Sequence, residues 1–387
     1  VGGFSNSIQS TSGYSGILSG YCNNIISSGT SLPNFSLIGG GCLNVNKGSN
    51  SIIVGGVSNF INDCEASSGG GITFLQNNGF IGGGRCNSVI HEISSGLTIA
   101  KLFGNNTVGG GACNISGSCI VSDGQQTGFS TVSGGYCNFA SLIGDTVGGG
   151  KCNTASGCYS VVSGGLENCS TNKWGIVGGG NTNINLGQSS GIFSGSTNYI
   201  TNVPYSVIAG GFNNTVSSQY SFVGSGADAC AYLYGQHTNS SGSFTAQGDA
   251  QSSKVILTKE AVINASLTSQ LFLDGGSLTL LPAGNNRLWN VMVKWAIVTT
   301  AVGTGTGNVG DVIYGTDIFY FKIVGGVSTL STQTRIASQS DVSMATADIQ
   351  YSVGASQDLQ IDMLSPTTAN GSTYRAIATV YFEEVAW

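Results

Sequence analysis

Along residues 1 to 248, apolar and small polar positions follow one recurring pattern: Ser, one residue, Ile or Val, two small residues, Gly, two residues, Asn. Ser36-Leu37-Ile38-Gly39-Gly40-Gly41-Cys42-Leu43-Asn44 and Ser160-Val161-Val162-Ser163-Gly164-Gly165-Leu166-Glu167-Asn168 are two copies. The central glycine falls at Gly3, Gly20, Gly41, Gly56, Gly84, Gly111, Gly135, Gly150, Gly165, Gly180, Gly195 and Gly211, with a degenerate copy at Gly226. From Gly20 onward an Ile or Val stands three positions before it every time, from Ile17 to Val223.

From Gly135 to Gly195 the step is always 15 residues. That is too short for helical repeats or propeller blades, and it fits one coil of a parallel β-roll or β-solenoid with two short strands and two turns. Stacked coils place Ile38, Ile53, Val132, Val147, Val162, Val177 and Ile208 in an apolar ladder. They place Asn138, Asn153, Asn168 and Asn183 in a column whose amides hydrogen-bond along the stack. Roughly 14 coils at about 4.8 Å each predict a shaft about 65 to 70 Å long. Extra residues at 24–35, 60–78, 88–105 and 115–129 predict loops on one side, either contact-bearing or mere decoration. A degenerate coil is expected around Gly69-Gly70-Gly71.

Beyond residue 249 the period changes to the alternation of strands, in 254–257, 278–280, 288–300, 317–323, 349–353, 359–363 and 374–385. Gly, Asn, Asp and Ser clusters separate them, which predicts an antiparallel β-sandwich of jelly-roll type. Ala376, Ala378, Val380 and Phe382 fall on one face of the last run, Trp289 and Trp295 belong to the core, and Arg375 to the rim. The expected organisation is a shaft at 1–228, a junction at 229–252 and a tip at 253–387, all β throughout.

Composition agrees: of the 62 glycines, 50 precede residue 249, as do all 11 cysteines, among Ser, Thr, Asn and Val rather than helix formers. The net charge of -6 is thin, and no Lys/Arg run could neutralise a phosphate backbone, so no nucleic-acid partner is expected. No stretch reaches the roughly 20 apolar residues of a membrane span, so no membrane insertion is expected either. The chain opens at Val1 within a repeat, which predicts a preceding portion of a longer protein that contacts further virion or tail components. Five basic and seven acidic residues must coat the first 248. A parallel homotrimer hides the remaining apolar and glycine surface, and Gly-Gly-Gly segments let its chains approach closely; the alternative is a single-chain solenoid.

At these motifs the repeat resembles the YadA-like head repeats of trimeric autotransporter adhesins and the similar Gly-Gly-x-x-Asn units of phage tail fibres. The resemblance implies a left-handed trimeric β-roll over residues 1 to about 226. Frequent Cys, irregular insertions and a coil slightly longer than usual depart from that pattern. Tyr234-Gly235-Gln236-His237, Ser241-Gly242-Ser243-Phe244, Gly248-Asp249-Ala250-Gln251, Leu271-Phe272-Leu273-Asp274-Gly275 and Arg375-Ala376-Ile377-Ala378-Thr379-Val380 resemble a C-terminal module that follows such repeats in phage tail proteins. No catalytic assignment comes with it.

Cys22, Cys86, Cys113, Cys137 and Cys152 share one repeat position, and free, mostly buried thiols are expected there as packing. Cys113 with Cys119 and Cys152 with Cys158 are alternative disulfide pairs. An odd total without Cys-x-x-Cys argues against a zinc site or disulfide framework, and fits assembly in a reducing cytosol. The Gly-Gly-Gly runs lack the Gly-Lys-Ser/Thr of a phosphate loop, and no cofactor or metal is expected. Glycoside hydrolysis needs two carboxyls about 5 to 9.5 Å apart. Only Asp63 and Glu65 suit this in the shaft, where Glu92, Asp123, Asp145, Glu167 and Asp228 are otherwise solvated; Asp358 and Asp362 share a face of the tip but lie too far apart. His91 and His237 show no acid or Ser partner. An ice-binding solenoid would need a repeated Thr array, which is absent.

These features predict a virion tail fibre or extracellular adhesin fragment, non-catalytic, attached to a host-surface glycan or protein through three equivalent tips. Tip loops at 303–315 and 364–372 are the expected contact regions, with Tyr314 and Tyr374 as receptor-binding residues. Two alternatives stand beside it: a tailspike-type glycan depolymerase with its site in the shaft or between chains, and a purely structural spacer. In a further variant the tip trimerises and shaft loops bind.

Overall fold

The computed structural model describes the chain except residues 1, 10–12, 27–34, 49, 64–74, 92–101, 118–127, 264–267, 281–285, 305–306, 368–370 and 387. The described residues are all β apart from one short 3-10 turn, Val342–Met344, and the chain divides into two compact units, Val1–Asn202 and Val203–Trp387.

In the first unit every coil makes the same circuit. A short strand such as Thr146–Val147 leads through a glycine turn to a one-residue bridge, Lys151, then Asn153 and a second strand, Thr154–Ala155. Each strand pairs in parallel with its counterpart one coil on: Ile38 with Ile53, Val132 with Val147, Val147 with Val162, and Val162 with Val177. These residues are fully buried, because the second residue of each strand faces inward while the first faces out.

The asparagines hold the coils at one spacing. Asn153 Oδ1 accepts the backbone N–H of Asn168 at 3.0 Å, and its Nδ2 donates to the Gly149 carbonyl at 2.8 Å and the Gly165 carbonyl at 2.9 Å. Asn138, Asn168 and Asn183 repeat this set. One buried amide thus satisfies a buried donor on the next coil and carbonyls on both. Gly150 completes the turn at φ +86°, where a Cβ would lie 2.2 Å from the Gly165 oxygen. The central glycine is therefore required by the close approach of successive coils within one chain.

The four insertions all leave the turn from second strand to first. Leu75–Asn77 and Leu102–Gly104, near the ends of two of them, pair in parallel. The coil expected around Gly69-Gly70-Gly71 lies outside the described residues.

The second unit begins with coils too. Val207–Ile208 pairs with Phe222–Ala227, which pairs with His237–Ser241, and Thr215–Val216 pairs with Cys230–Ala231. The expected boundaries at 228 and 252 therefore fall inside this unit. The asparagine column ends here at Ala229, whose N–H donates to Asn214 Oδ1 at 2.9 Å. Gln251 replaces a further coil: its Oε1 accepts the Cys230 N–H at 2.8 Å and its Nε2 donates to the Cys230 carbonyl at 3.0 Å.

His237–Ser241 then reverses against Ala250–Ile263, opening an antiparallel sheet. Ser372–Ala386 lies between Ala250–Ile263 and Arg287–Ala301, and Val312–Val324 follows, edged by Val327–Leu330 and Thr334–Ser340. A smaller sheet of Thr268–Gln270, Leu359–Leu364 and Asp348–Val353 makes a second layer. Of the strand expected at 278–280 only a single bridge forms, Leu280 with Leu359. Trp289, Phe321 and Phe382 centre the core, Trp289 lying 4.4 Å from Phe382 between ring centroids.

Two buried carboxylates pin this unit. Glu384 accepts Tyr232 Oη at 2.9 Å and Gln251 Nε2 at 3.0 Å, and pairs with Arg287. Asp317 accepts Trp295 Nε1 at 2.8 Å, Tyr351 Oη at 2.7 Å and Arg335 Nε at 2.8 Å, and Arg335 reaches on to Asp348 in the smaller sheet. Each charge is matched by donors, which burial requires.

Replacing Asn153 by Ala leaves the buried Asn168 N–H without an acceptor. Urea unfolding of N153A is expected to show a loss of about 2 to 4 kcal/mol, against under about 0.5 for exposed S163A.

Candidate functional site

The residue just before the repeat serine position, ahead of each first strand, sits at the corner where the insertions leave. In the first unit it is Tyr14, Phe35, Asn50, Asn78, Asn105, Phe129, Gly144, Tyr159, Trp174 and Ser189. The turn is left-handed at six of these: φ is +50° at Asn50, +68° at Gly144, +51° at Ser189, and +58°, +58° and +57° at Phe129, Tyr159 and Trp174. Asn and Gly suit that conformation, whereas a bulky side chain is disfavoured by about 1 to 2 kcal/mol. The rings gain little burial in return, since Phe129 is 48%, Tyr159 49% and Trp174 47% exposed.

Local packing orients them. Tyr159 leans over Gly144, where any Cβ would be 2.5 Å from the ring, and Lys173 Nζ lies 4.1 Å from the Trp174 centroid. Tyr14 and Phe35 stack at 5.4 Å. The second unit repeats the feature at Tyr205 and Tyr220, both at φ +58° and stacked at 5.2 Å. Each unit thus presents a ridge of half-exposed rings with amides and hydroxyls at its flanks, a surface for ligands that combine apolar C–H faces with hydroxyls. Left-handed aromatic positions carry no composition signal, so the ridge was not read from the sequence, although Tyr, Phe or Trp preceding the repeat serine was visible there.

A second concave surface lies among the tip loops. Gly307, Asn308, Asp311, Asp341, Val342, Ser343, Thr346 and Thr367 line a cleft of about 510 Å³. Asp311 Oδ2 accepts the Asn308 N–H at 2.6 Å and the Ser343 hydroxyl, and these bonds hold its carboxyl below the usual range. Asp341 Oδ2 accepts the N–H of Val312, the residue next to Asp311, at 2.8 Å. Half of the cleft's lining residues, Gly307, Asn308, Asp311 and Thr367, fall in the loops expected to make contacts, and the segment 341–346 supplies the other half.

The individually named contact residues fare differently. Tyr374 is only 3% exposed and packs in the core, because it shares the inward face of Ala376, Ala378 and Val380; it is not a contact residue. Tyr314 is 47% exposed on the outer sheet face, donating to Gln339 Oε1 at 2.7 Å, and does not line the cleft. Trp289 and Trp295 are buried, and Arg375 is exposed beside Glu260.

None of the described cysteines is buried, and none is in a disulfide, so the reading of the column as thiol packing is corrected: the shared position is a left-handed turn that faces outward. Cys119 lies outside the described residues, as does Glu65, along with the side chains of Asp63 and His91. Asp358 is buried and Asp362 half-buried, four residues or about 13 Å apart along an extended chain. The His237 ring rests against Phe222, at 5.5 Å. Among the described residues, no group of three or more His, Cys, Asp or Glu could hold a metal.

No family model matches the chain, and no curated protein does. Among solved structures it is similar to the tailspike protein of Acinetobacter phage vB_ApiP_P1, at 10% identity and TM-score 0.26, covering 97% of this chain and 80% of that one. It is also similar to the tailspike of Acinetobacter baumannii phage AM24, at 9% identity and TM-score 0.22, covering 96% and 68%. A third is tailspike gp49 of Acinetobacter baumannii bacteriophage Fri1, described as a capsular polysaccharide depolymerase, at 10% identity and TM-score 0.19, covering 97% and 70%. Against the expectation of a non-catalytic chain, one of these neighbours is thus described as a depolymerase.

Asp145 replaces serine in the buried polar column of the first unit. Its carboxylate accepts Ser160 N–H and Oγ at 2.9 Å and Leu142 N–H at 2.8 Å, yet burial outweighs these bonds and raises its pKa. The folded state thus holds the proton more tightly than the unfolded chain. Stability from this group is fullest at low pH and is lost as pH rises from the ordinary Asp range through the raised value. Melting D145S beside the wild type from pH 4 to 7 is expected to show that the wild type alone carries this decline.

Proposed function

We propose that the chain belongs to a tailspike-type fibre of a bacterial virus, a parallel homotrimer that holds host-surface polysaccharide on its aromatic ridges and cleaves it. The observation that carries this reading is the set of Phe129, Tyr159 and Trp174, held half-exposed in a backbone conformation that favours Asn or Gly. Strain kept at the surface without burial is the mark of a binding position. A pyranose offers an apolar C–H face to a ring and hydroxyls to flanking groups, and an extended polysaccharide repeats that offer at every sugar. The thin charge of the ridge suits such a ligand better than a nucleic acid or an anionic membrane.

The trimer is supported by apolar side chains left open on outer faces: Leu18, Val54 and Phe193 in the first unit, and Ile256, Ile377 and Tyr320 in the second. Three copies turn ring contacts of about 1 kcal/mol each into firm attachment. For cleavage, Asp311 and Asp341 are the carboxylates that share a cleft, and the bonds that keep Asp311 ionised suit a base or nucleophile. The repeat's likeness to phage tail-fibre units agrees with a virion protein that assembles in a reducing cytosol and joins other tail components.

The test uses capsular polysaccharides of candidate hosts. Y159N with W174N is expected to weaken binding at least tenfold while the melting temperature stays level or rises, since Asn relieves the left-handed strain. Unchanged binding would remove the ridge from the account. New reducing ends are expected from the wild type and about 100-fold fewer from D311N with D341N; intact polysaccharide after prolonged incubation with wild type would contradict cleavage.

A further inference from the structure

Four consecutive coils carry cysteine at one place: Cys86, Cys113, Cys137 and Cys152, at φ +54°, +58°, +55° and +56°. Their backbones are in register, because the preceding residues bridge in series from Arg85 to Ala112, Tyr136 and Lys151. The N–H groups of Cys113, Cys137 and Cys152 each donate at 2.9 Å to the carbonyl of that preceding residue one coil back. The same turn is held elsewhere by Ser5, Ser58, Thr182, Thr197 and Asn213 at φ between +53° and +59°, so the backbone does not require sulfur. Burial does not either, since Cys86 is exposed and the other three are half-buried.

In-register residues of a parallel ladder lie about 4.8 Å apart, inside the Cα window of about 4.4 to 6.8 Å for a disulfide, and the Cβ atoms need only draw together by a few tenths of an ångström. We propose that this column is a redox-responsive staple in which Cys113 and Cys137 join when the protein passes from a reducing to an oxidising medium. The pair is singled out because both residues are half-buried, unlike Cys86, and because the chain between them carries an insertion, unlike the 15-residue step from Cys137 to Cys152. The bond ties two coils across residues 114–136, the segment that carries one of the insertions.

The oxidant is a small-molecule disulfide such as oxidised glutathione. One cysteine thiolate attacks a glutathione sulfur, and the glutathione S–S bond breaks to release one thiolate. The second cysteine thiolate then attacks the mixed disulfide and expels the other. Two protein thiols are oxidised, one glutathione disulfide is reduced to two thiols, and the two protein protons pass to the leaving thiolates. Burial raises the Cys113 pKa, with the neighbouring Cys137 and Cys86 sulfurs adding to it, so closure quickens as pH rises above neutral.

The full chain is equilibrated with oxidised glutathione at about pH 8.5 or with dithiothreitol, then digested, mapped by mass spectrometry and melted. The expected result is a Cys113–Cys137 linked peptide within one chain and a melting temperature about 5 °C higher, both reversed by dithiothreitol. C113S, whose residue type already holds this turn at Ser5 and Ser58, is expected to lose both effects, whereas C86S keeps them. If C113S melts lower in dithiothreitol, C137T replaces it, as Thr182 holds the same turn. Glutathione adducts alone, a link at another pair, or a link between chains would overturn the proposal.

Discussion

One buried side-chain amide per coil sets the geometry on which the repeats depend. A stack of coils this small has no wide apolar core, and its turns bring backbone groups inward where water cannot follow. Asn153 and its counterparts resolve this by accepting one N–H and donating to two carbonyls, so a slipped coil would strand several buried groups at once. The central glycine is a consequence: a turn tight enough for the amide to reach both carbonyls leaves no room for a Cβ. The column also explains its own end, where Ala229 takes the asparagine position and Gln251 supplies an amide in place of a further coil.

Once register is fixed from within, the outward positions are free to carry other chemistry, and they do so in files. One file is rich in aromatic residues, another in cysteine, and Phe129, Tyr159 and Trp174 of the first and the cysteines of the second sit on left-handed residues. A solenoid therefore converts a repeat position in sequence into a line on the surface. That is an effective way to meet a ligand that is itself a linear repeat. The tip differs in kind, since its cleft is assembled from loops between long strands and pinned by buried carboxylates at Asp317 and Glu384.

The apolar ladder and asparagine column were legible because their period is constant and each position tolerates few residue types. Tyr374 was misplaced although the parity of Ala376, Ala378, Val380 and Phe382 already put it on the inner face. The ridge was hidden for a physical reason: left-handed turns are sought through Gly and Asn, and here Phe, Tyr and Trp occupy them. The boundary near 228 failed because the coils continue after the motif fades, with Thr238 paired to Val223 in the ladder position. Asp145 was read as one more solvated acid, yet it takes the buried serine position of its coil and accepts the Ser160 N–H.

Residue-resolved amide hydrogen exchange tests the amide column most directly. The N–H groups of Asn153, Asn168 and Asn183, each held by the side chain of the preceding coil, are predicted to exchange as slowly as those of the paired strand residues Val161 and Ile176. Exchange at the rate of open turn amides such as Gly149 would show that the side chains do not hold the coils in register.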